Sequence, residues 1–197
     1  MRAPDREISM SRKILATLVL ALCVIAVAQK TDDTDKQKLI DIEQKFAAIT
    51  SFNSPEMTDA FQKYLYDGTS SVVVLFGHLY HGPKSEAVAA TKKPDPNDPD
   101  VKMTNKLSDL QVDTYGDTAL VSYKAVETDS GHKNPALNGD YRLTCLDTYL
   151  KRKGEWYMIG TSCVPNAPMS QAQWDAFTKM NEQQNQQQKV VPPSSPQ

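Results

Sequence analysis

The chain has 197 residues, with 22 basic against 24 acidic side chains and a net charge of −2. Near-neutrality without a basic stripe excludes a nucleic-acid-binding surface. The length suits one domain with a real core rather than two.

Met10-Ser11-Arg12-Lys13 precedes a short apolar run, Ile14 to Val27, which ends at Ala26-Val27-Ala28 before Gln29. A basic start, a short apolar core and an A-x-A site predict a secretory signal peptide over residues 1–28, with Met10 as an alternative start. The run is too short for a comfortable membrane span. Leu22 stands before Cys23 where lipidation would want a small residue. The expected product is an exported protein, periplasmic or extracellular, with no membrane contact once the signal is cleaved.

Thr34 with Gln37 forms a capping-box start to a first helix. Leu39, Ile42, Phe46 and Ile49 give it an apolar stripe at helical spacing. Ser54 caps a second helix with Pro55 at its first position. Its buried face is predicted as Met57, Phe61, Tyr64 and Leu65, and Asp67-Gly68 ends it. Ser71 to Phe76 reads as a strand by its β-branched content. A turn over Gly77–Gly82 and a short helix over Lys84–Lys92 follow. The three prolines between Lys93 and Asp100 make an exposed loop.

Val101–Tyr115 is a long strand or a bent pair, Gly116-Asp117 turns the chain, and Thr118–Thr128 returns. After a polar loop, Tyr141–Arg152 and Glu155–Val164 form a closing hairpin. Ser170 caps a last helix carrying Trp174 and Phe177, and a Gln- and Pro-rich tail follows that cannot bury enough apolar surface to order itself. The expected organisation is a domain over 29–168, a C-terminal helix over 169–181 and a disordered tail over 182–197. Two helices, a strand, a short helix and a run of antiparallel strands predict an α+β fold.

Signal cleavage leaves two cysteines, Cys145 and Cys163, and an oxidising compartment permits a disulfide. Side chains alternate faces along a strand, so hairpin register decides the matter. A three-residue turn, Arg152-Lys153-Gly154, sets Lys151 opposite Glu155, an even sum that puts both cysteines on one face. A two-residue turn, Lys153-Gly154, gives an odd sum and separates them. The bridge is the favoured reading, and two buried free thiols the alternative. In the even register Tyr149 lies opposite Tyr157 on an aromatic outer face, while Leu150, Trp156 and Met158 pack in the core.

Three segments carry a resemblance: Val112–Val126 (VDTYGDTALVSYKAV), Leu146–Trp156 (LDTYLKRKGEW) and, more weakly, Tyr64–Ala87. Their order and spacing resemble the nuclear transport factor 2-like superfamily, nearest its SnoaL-like and calcium/calmodulin-dependent kinase association-domain-like branch of uncharacterised exported proteins. The resemblance implies a strongly curved antiparallel sheet wrapped around the N-terminal helices as a cone, with a pocket at the open end. It also points to a homodimer. Members include isomerases, dehydratases, cyclases and non-enzymatic binding modules, so the fold leaves function open.

Acid–base chemistry in such a cone needs a carboxylate and hydroxyls or a protonated carboxyl. The candidate ligand-binding residues are Tyr64, Asp67, His78, Tyr123, Asp147 and Trp156, with Tyr80 also considered, and no catalytic set is assigned. Asp147 reads either as a polar group on a pocket wall or as a solvent-facing or locally hydrogen-bonded strand residue, and Asp67 also reads as a turn residue. His78 and His81 lack further ligands for a metal, and Asp95, Asn97, Asp98 and Asp100 read as an ordinary acidic loop, so no metal or cofactor is expected. No nucleophile motif, phosphate loop or dinucleotide fingerprint is present. The sequence therefore favours an exported module that binds a small apolar or amphipathic molecule, or dimerises. An isomerase, dehydratase or cyclase using an Asp with Tyr or His is the alternative. A structural domain whose cone is filled by its own side chains is the third reading.

Overall fold

A computed structural model describes residues 33–67, 71–75, 78–93 and 100–189, and for residues 71–80, 180–181 and 183–189 it describes the backbone alone. The signal-peptide segment, most of the proline-rich loop and the last eight residues lie outside these. The described residues from Leu39 onward belong to one compact unit, and residues 33–38, the start of the first helix, belong to another. Among the described residues no helix is long and apolar enough to cross a membrane.

The fold is α+β. Helix α1 spans 33–47. Helix α2 (Pro55–Tyr64) starts where Ser54 accepts the Met57 amide at 3.1 Å, with Pro at its first turn as expected. Strands β1 (Ser71–Leu75) and β2 (His78–Gly82) form a hairpin, and α3 (Lys84–Thr91) follows. Asn53 donates to the carbonyls of Ala90, Thr91 and Lys93 at 3.2, 3.4 and 2.7 Å, satisfying the end of α3 from the start of α2. Three long strands make the meander: β3 (Lys102–Tyr115), β4 (Thr118–Ser130) and β5 (Gly139–Arg152). Strand β6 (Glu155–Pro165) closes it, and α4 (Gln171–Lys189) ends the described chain.

The six strands lie in the order β2-β1-β6-β5-β4-β3. One pair departs from the antiparallel sheet the sequence predicts: β1 runs parallel to β6, with Val72 opposite Gly160 and Leu75 opposite Cys163. Helix α3 between β2 and β3 and the long meander bring the chain back so that β1 meets the last strand as well as its sequence neighbour β2. The region Val101–Tyr115 is a single strand with an irregularity between Ser108 and Gln111, where Asp109 takes φ 53°. Such bulges bend a strand and increase its twist.

The closing hairpin corrects the predicted register in an instructive way. Its turn is the two-residue one: Arg152 pairs with Glu155, and Lys153 and Gly154 take φ 53° and 83°. Positive φ at both central positions matches the right-handed twist of the flanking strands. That register alone would separate the cysteines. Between Thr148↔Gly160 and Tyr149↔Met158, however, β6 carries one extra residue, Ile159. The bulge restores even parity beyond it, Cys145 stands opposite Cys163, and the two are bridged. On the near side of the bulge parity stays odd. Tyr149 is therefore fully buried and pairs with Met158, and Leu150 turns outward opposite Tyr157. The expected Tyr149–Tyr157 outer pair does not form.

Two core clusters occupy the inner face of the sheet. Leu39 and Ile42 of α1 pack on Val121, Tyr149, Trp156 and Met158. Ala176 and Phe177 of α4, with Leu137, pack on Ala125, Tyr141, Leu143 and Cys145. Trp174, three residues before Phe177, is exposed. Helix α4 continues to Lys189 where a polar tail was expected from 182, and glutamine is a good helix former.

The bridge closes a segment with a sequence separation of 18. Chain-entropy arguments put the stabilisation from such a loop at about 3 kcal/mol. Urea unfolding with and without a thiol reductant should show a loss of that order on reduction, and coincident curves would overturn it.

Candidate functional site

Strand β5 sends alternate residues to the inner face: Tyr141, Leu143, Cys145, Asp147 and Tyr149. The first three belong to one core cluster and Tyr149 to the other. Asp147 sits at the junction, 1% exposed. Across from it, α1 presents Glu43, 2% exposed. Beside them lies a cavity of about 280 Å³, lined by both carboxyls, by Tyr123, Thr161, Asn105 and Glu127, and by apolar side chains including Phe46, Phe61, Met57 and Met158. The Cys145–Cys163 bridge forms part of its wall. Phe52 lines it too and is exposed, marking the mouth.

The polar end is fully connected. Tyr149 donates its hydroxyl to Glu43 Oε1 at 2.7 Å. Tyr123 donates to Asp147 Oδ2 at 3.0 Å, and Thr161 donates to Asp147 Oδ1. Glu43 and Asp147 are hydrogen-bonded to each other. Such a bond between carboxyls requires a proton between them. Burial and then the Asp147 charge push the Glu43 carboxyl up to about 9. Burial raises Asp147 as well, while its donors Thr161, Tyr123 and Glu43 pull it back down. The pair therefore holds a proton between its carboxyls, and the donors Thr161 and Tyr123 favour the charge on Asp147. Burial, followed by the charges of Asp147 and Glu43, also raises the Tyr123 hydroxyl, which stays a donor.

A second titratable group shares the cavity. Inward alternation along β4 places Val121, Tyr123, Ala125 and Glu127 in one row. Burial and then the Asp129 charge raise Glu127 to about 7, against a hydrogen bond from Asn105. Asp129 itself faces His132, Nε2 to Oδ2 at 3.7 Å.

Of the residues singled out from sequence, Asp147 and Tyr123 meet at the cavity. Trp156 is buried in the neighbouring cluster and does not line it, with Lys151 Nζ 5.4 Å over its ring. Tyr64 lies off the cavity: its hydroxyl accepts from Lys45 Nζ at 3.0 Å, and Lys63 also stands over its ring. Its ring packs on Phe46 at the core edge, with the centroids 6.0 Å apart. Asp67 is 81% exposed and pairs with Lys84 at 2.9 Å, as its place after the helix end dictates. His78 lies in β2 opposite Leu75, and like Tyr80 its side chain is outside the described part. His81 is exposed. Among the described residues no cluster of His, Cys, Asp and Glu could hold a metal ion.

Glu43, Glu127 and Thr161 were missed by the sequence reading. The signal for Glu43 was its spacing from Leu39 and Phe46, i+4 and i−3, which puts a carboxyl on the apolar stripe. For Glu127 the signal was period-two alternation from Val121.

No family model matches the chain, and no protein of curated function matches it in sequence. Solved structures do match. A candidate dehydratase of the NTF2-like family from Streptomyces avermitilis aligns with a TM-score of 0.55 at 15% identity, covering 70% of this chain and 99% of that one. A variant of a protein of unknown function from Mycobacterium tuberculosis aligns at 0.53 with 11% identity, covering 70% and 75%. The CaMKII hub from S. rosetta aligns at 0.47 with 16% identity, covering 66% and 95%. The chain has the nuclear transport factor 2-like fold.

Because Glu43 holds its proton more tightly folded than unfolded, folding takes up protons between about 4.5 and 9, and stability falls as pH rises through that window. Glu127 contributes to the same fall below about 7. Glu43→Gln keeps an acceptor for Tyr149 and a donor for Asp147 without a titrating proton. Denaturant unfolding at pH 7, 8 and 9 should show a flattened slope for Glu43→Gln relative to wild type. An unchanged slope would mean that Glu43 is not the proton carrier.

Proposed function

We propose that this protein is an exported small-molecule-binding module whose ligand occupies the cavity between the two core clusters. The observation that carries the reading is a cavity of about 280 Å³ with mostly apolar walls and a compact polar end at Glu43, Asp147, Tyr123 and Thr161. Apolar walls supply affinity and a few placed polar groups fix orientation, the usual make-up of ligand sites. A domain filled by its own side chains would not leave this space. The signal-like N-terminus and the Cys145–Cys163 bridge support export, since disulfides persist in oxidising compartments.

The same reading includes a homodimer through the outer face of the sheet. Leu146 and Val164 lie diagonally adjacent there, 44% and 54% exposed. Exposed apolar neighbours of this kind mark interaction surfaces when they belong to a larger patch.

An enzymatic reading has one specific observation in its favour, the proton-sharing carboxyl pair facing the cavity. A neutral Glu43 and an ionised Asp147 could serve as acid and base for a proton transfer or an elimination of water. The S. avermitilis structure described as a candidate dehydratase has this fold.

Native mass spectrometry of the exported protein tests these readings together. The expected result is a dimer carrying a bound small molecule. Ala125→Phe, which projects a ring into the cavity at a stability cost of about 1–3 kcal/mol, should come through empty. An empty wild type, or a ligand retained by Ala125→Phe, removes the binding reading. Leu146→Asp should convert the dimer to monomer while the ligand stays bound. If Asp147→Asn protein carries a chemically different molecule from wild type, differing by water or by a shifted double bond, the protein is an enzyme. The same molecule in both marks a binder.

A further inference from the structure

The cavity's charge is one-sided. Three carboxyls line it, Glu43 and Asp147 at one end and Glu127 beside Asn105, and among the described residues no lysine, arginine or histidine does. Asp147 and Glu43 are both almost wholly buried, so solvent screens their field little. The hydroxyls of Tyr123, Tyr149 and Thr161 are already committed to the carboxyls. None is left free to donate to a ligand's carbonyl. The remaining walls include the aromatic faces of Phe46, Phe52 and Phe61. A ligand that brought a negative charge would meet carboxylates, and one that brought only an acceptor would find the strong donors occupied.

We infer that the cavity binds a small organic cation, an alkyl- or aryl-ammonium compound whose charged head lies between the Asp147 and Glu127 carboxyls and whose apolar body lies against the phenylalanines. This rests on the binding reading above and names its ligand class. An ammonium group supplies donors only, which matches a wall of acceptors. Its charge replaces the proton that the carboxyls hold in the empty site, and the aromatic faces attract a cation by their quadrupoles. The roughly cylindrical alkyl part needs no polar partner in a wall of Phe, Met and Leu side chains.

The groups that face the binding position can be named element by element. Helix α1 presents Glu43, β3 presents Asn105, and β4 presents Tyr123 and Glu127 with Asp129 behind it. Strand β5 presents Asp147, with Tyr149 behind Glu43, and β6 presents Thr161. His132 faces Asp129 from the following loop. The groups with raised values here are acids, so a bound cation favours their ionised forms and expels a proton. Affinity for the cation should therefore rise with pH through about 7, where Glu127 titrates.

The test uses n-octylammonium chloride, 1-octanol and sodium octanoate, titrated calorimetrically into the mature protein at pH 8. Octylammonium should bind at least roughly tenfold more tightly than octanol, with octanoate weakest. Its affinity should climb between pH 6 and pH 8, while that of octanol stays flat. Glu127→Gln, verified as folded by circular dichroism, should narrow the octylammonium-to-octanol ratio severalfold. Equal or tighter binding of octanol or octanoate, at either pH, overturns the cation assignment and leaves the binding reading standing. Failure of all three probes to bind removes the binding reading itself. If Glu127→Gln does not fold, the pH dependence of wild type decides alone.

Discussion

Two carboxyl groups buried against each other, Glu43 on a helix and Asp147 on the central strand, constrain the rest of the site. An ionised carboxylate moved alone into a protein interior costs several kcal/mol after relaxation. Two together cannot both ionise, so one proton stays with the pair. The residual charge on Asp147 is met by donors from two different strands and from the helix, Tyr123 on β4, Thr161 on β6 and Glu43 on α1. Hydrogen bonds to a charged group contribute about 1.5–3 kcal/mol each, so three of them are of the size needed to offset the burial. Tyr149 closes the arrangement by fixing the far oxygen of Glu43. The helix is thus tied to the sheet by a polar contact in the middle of an apolar interface.

That arrangement depends on a single extra residue. Beyond the bulge at Ile159, Thr161 and Cys163 face inward, one to bond Asp147 and the other to bridge Cys145. In an unbroken register set by the Lys153-Gly154 turn, both would face the outer surface. The donor to Asp147 and the disulfide are consequences of one irregularity. It falls between Met158 and Gly160, both of which line the cavity, the kind of place where bulges re-aim side chains.

This also explains what the sequence made legible. The meander, the Gly116-Asp117 turn, the Ser54 cap and the apolar stripe of α1 rest on local chemistry, and each is found where the pattern predicts. The hairpin register does not rest on local chemistry. A turn fixes parity only until the first bulge, and nothing in Tyr157-Met158-Ile159-Gly160 announces one apart from the glycine next to it. Parallel pairing of β1 with β6 is likewise set by how far the intervening chain travels. Glu43 was hidden because a carboxyl between Asp41 and Lys45 reads as solvent-facing, although its spacing from Leu39 and Phe46 points inward. Asp147 was visible as a candidate because the alternation of β5 gives it a face, but only its partner on α1 turns it from a buried cost into a site.

Stability does not account for the pair. Replacing buried ionic groups by apolar residues of similar volume is often neutral or stabilising by about 1–4 kcal/mol. Here such a replacement would also remove the polar break in the inner row of β5. The row Tyr141, Leu143, Cys145 on one side and Tyr149 on the other would become continuously apolar-faced. Asp147 is the polar interruption in that row, and Tyr123 packs against the clusters on both sides of it. The carboxyl that interrupts the apolar row is also the one that, with Glu43, gives the cavity its acidic end.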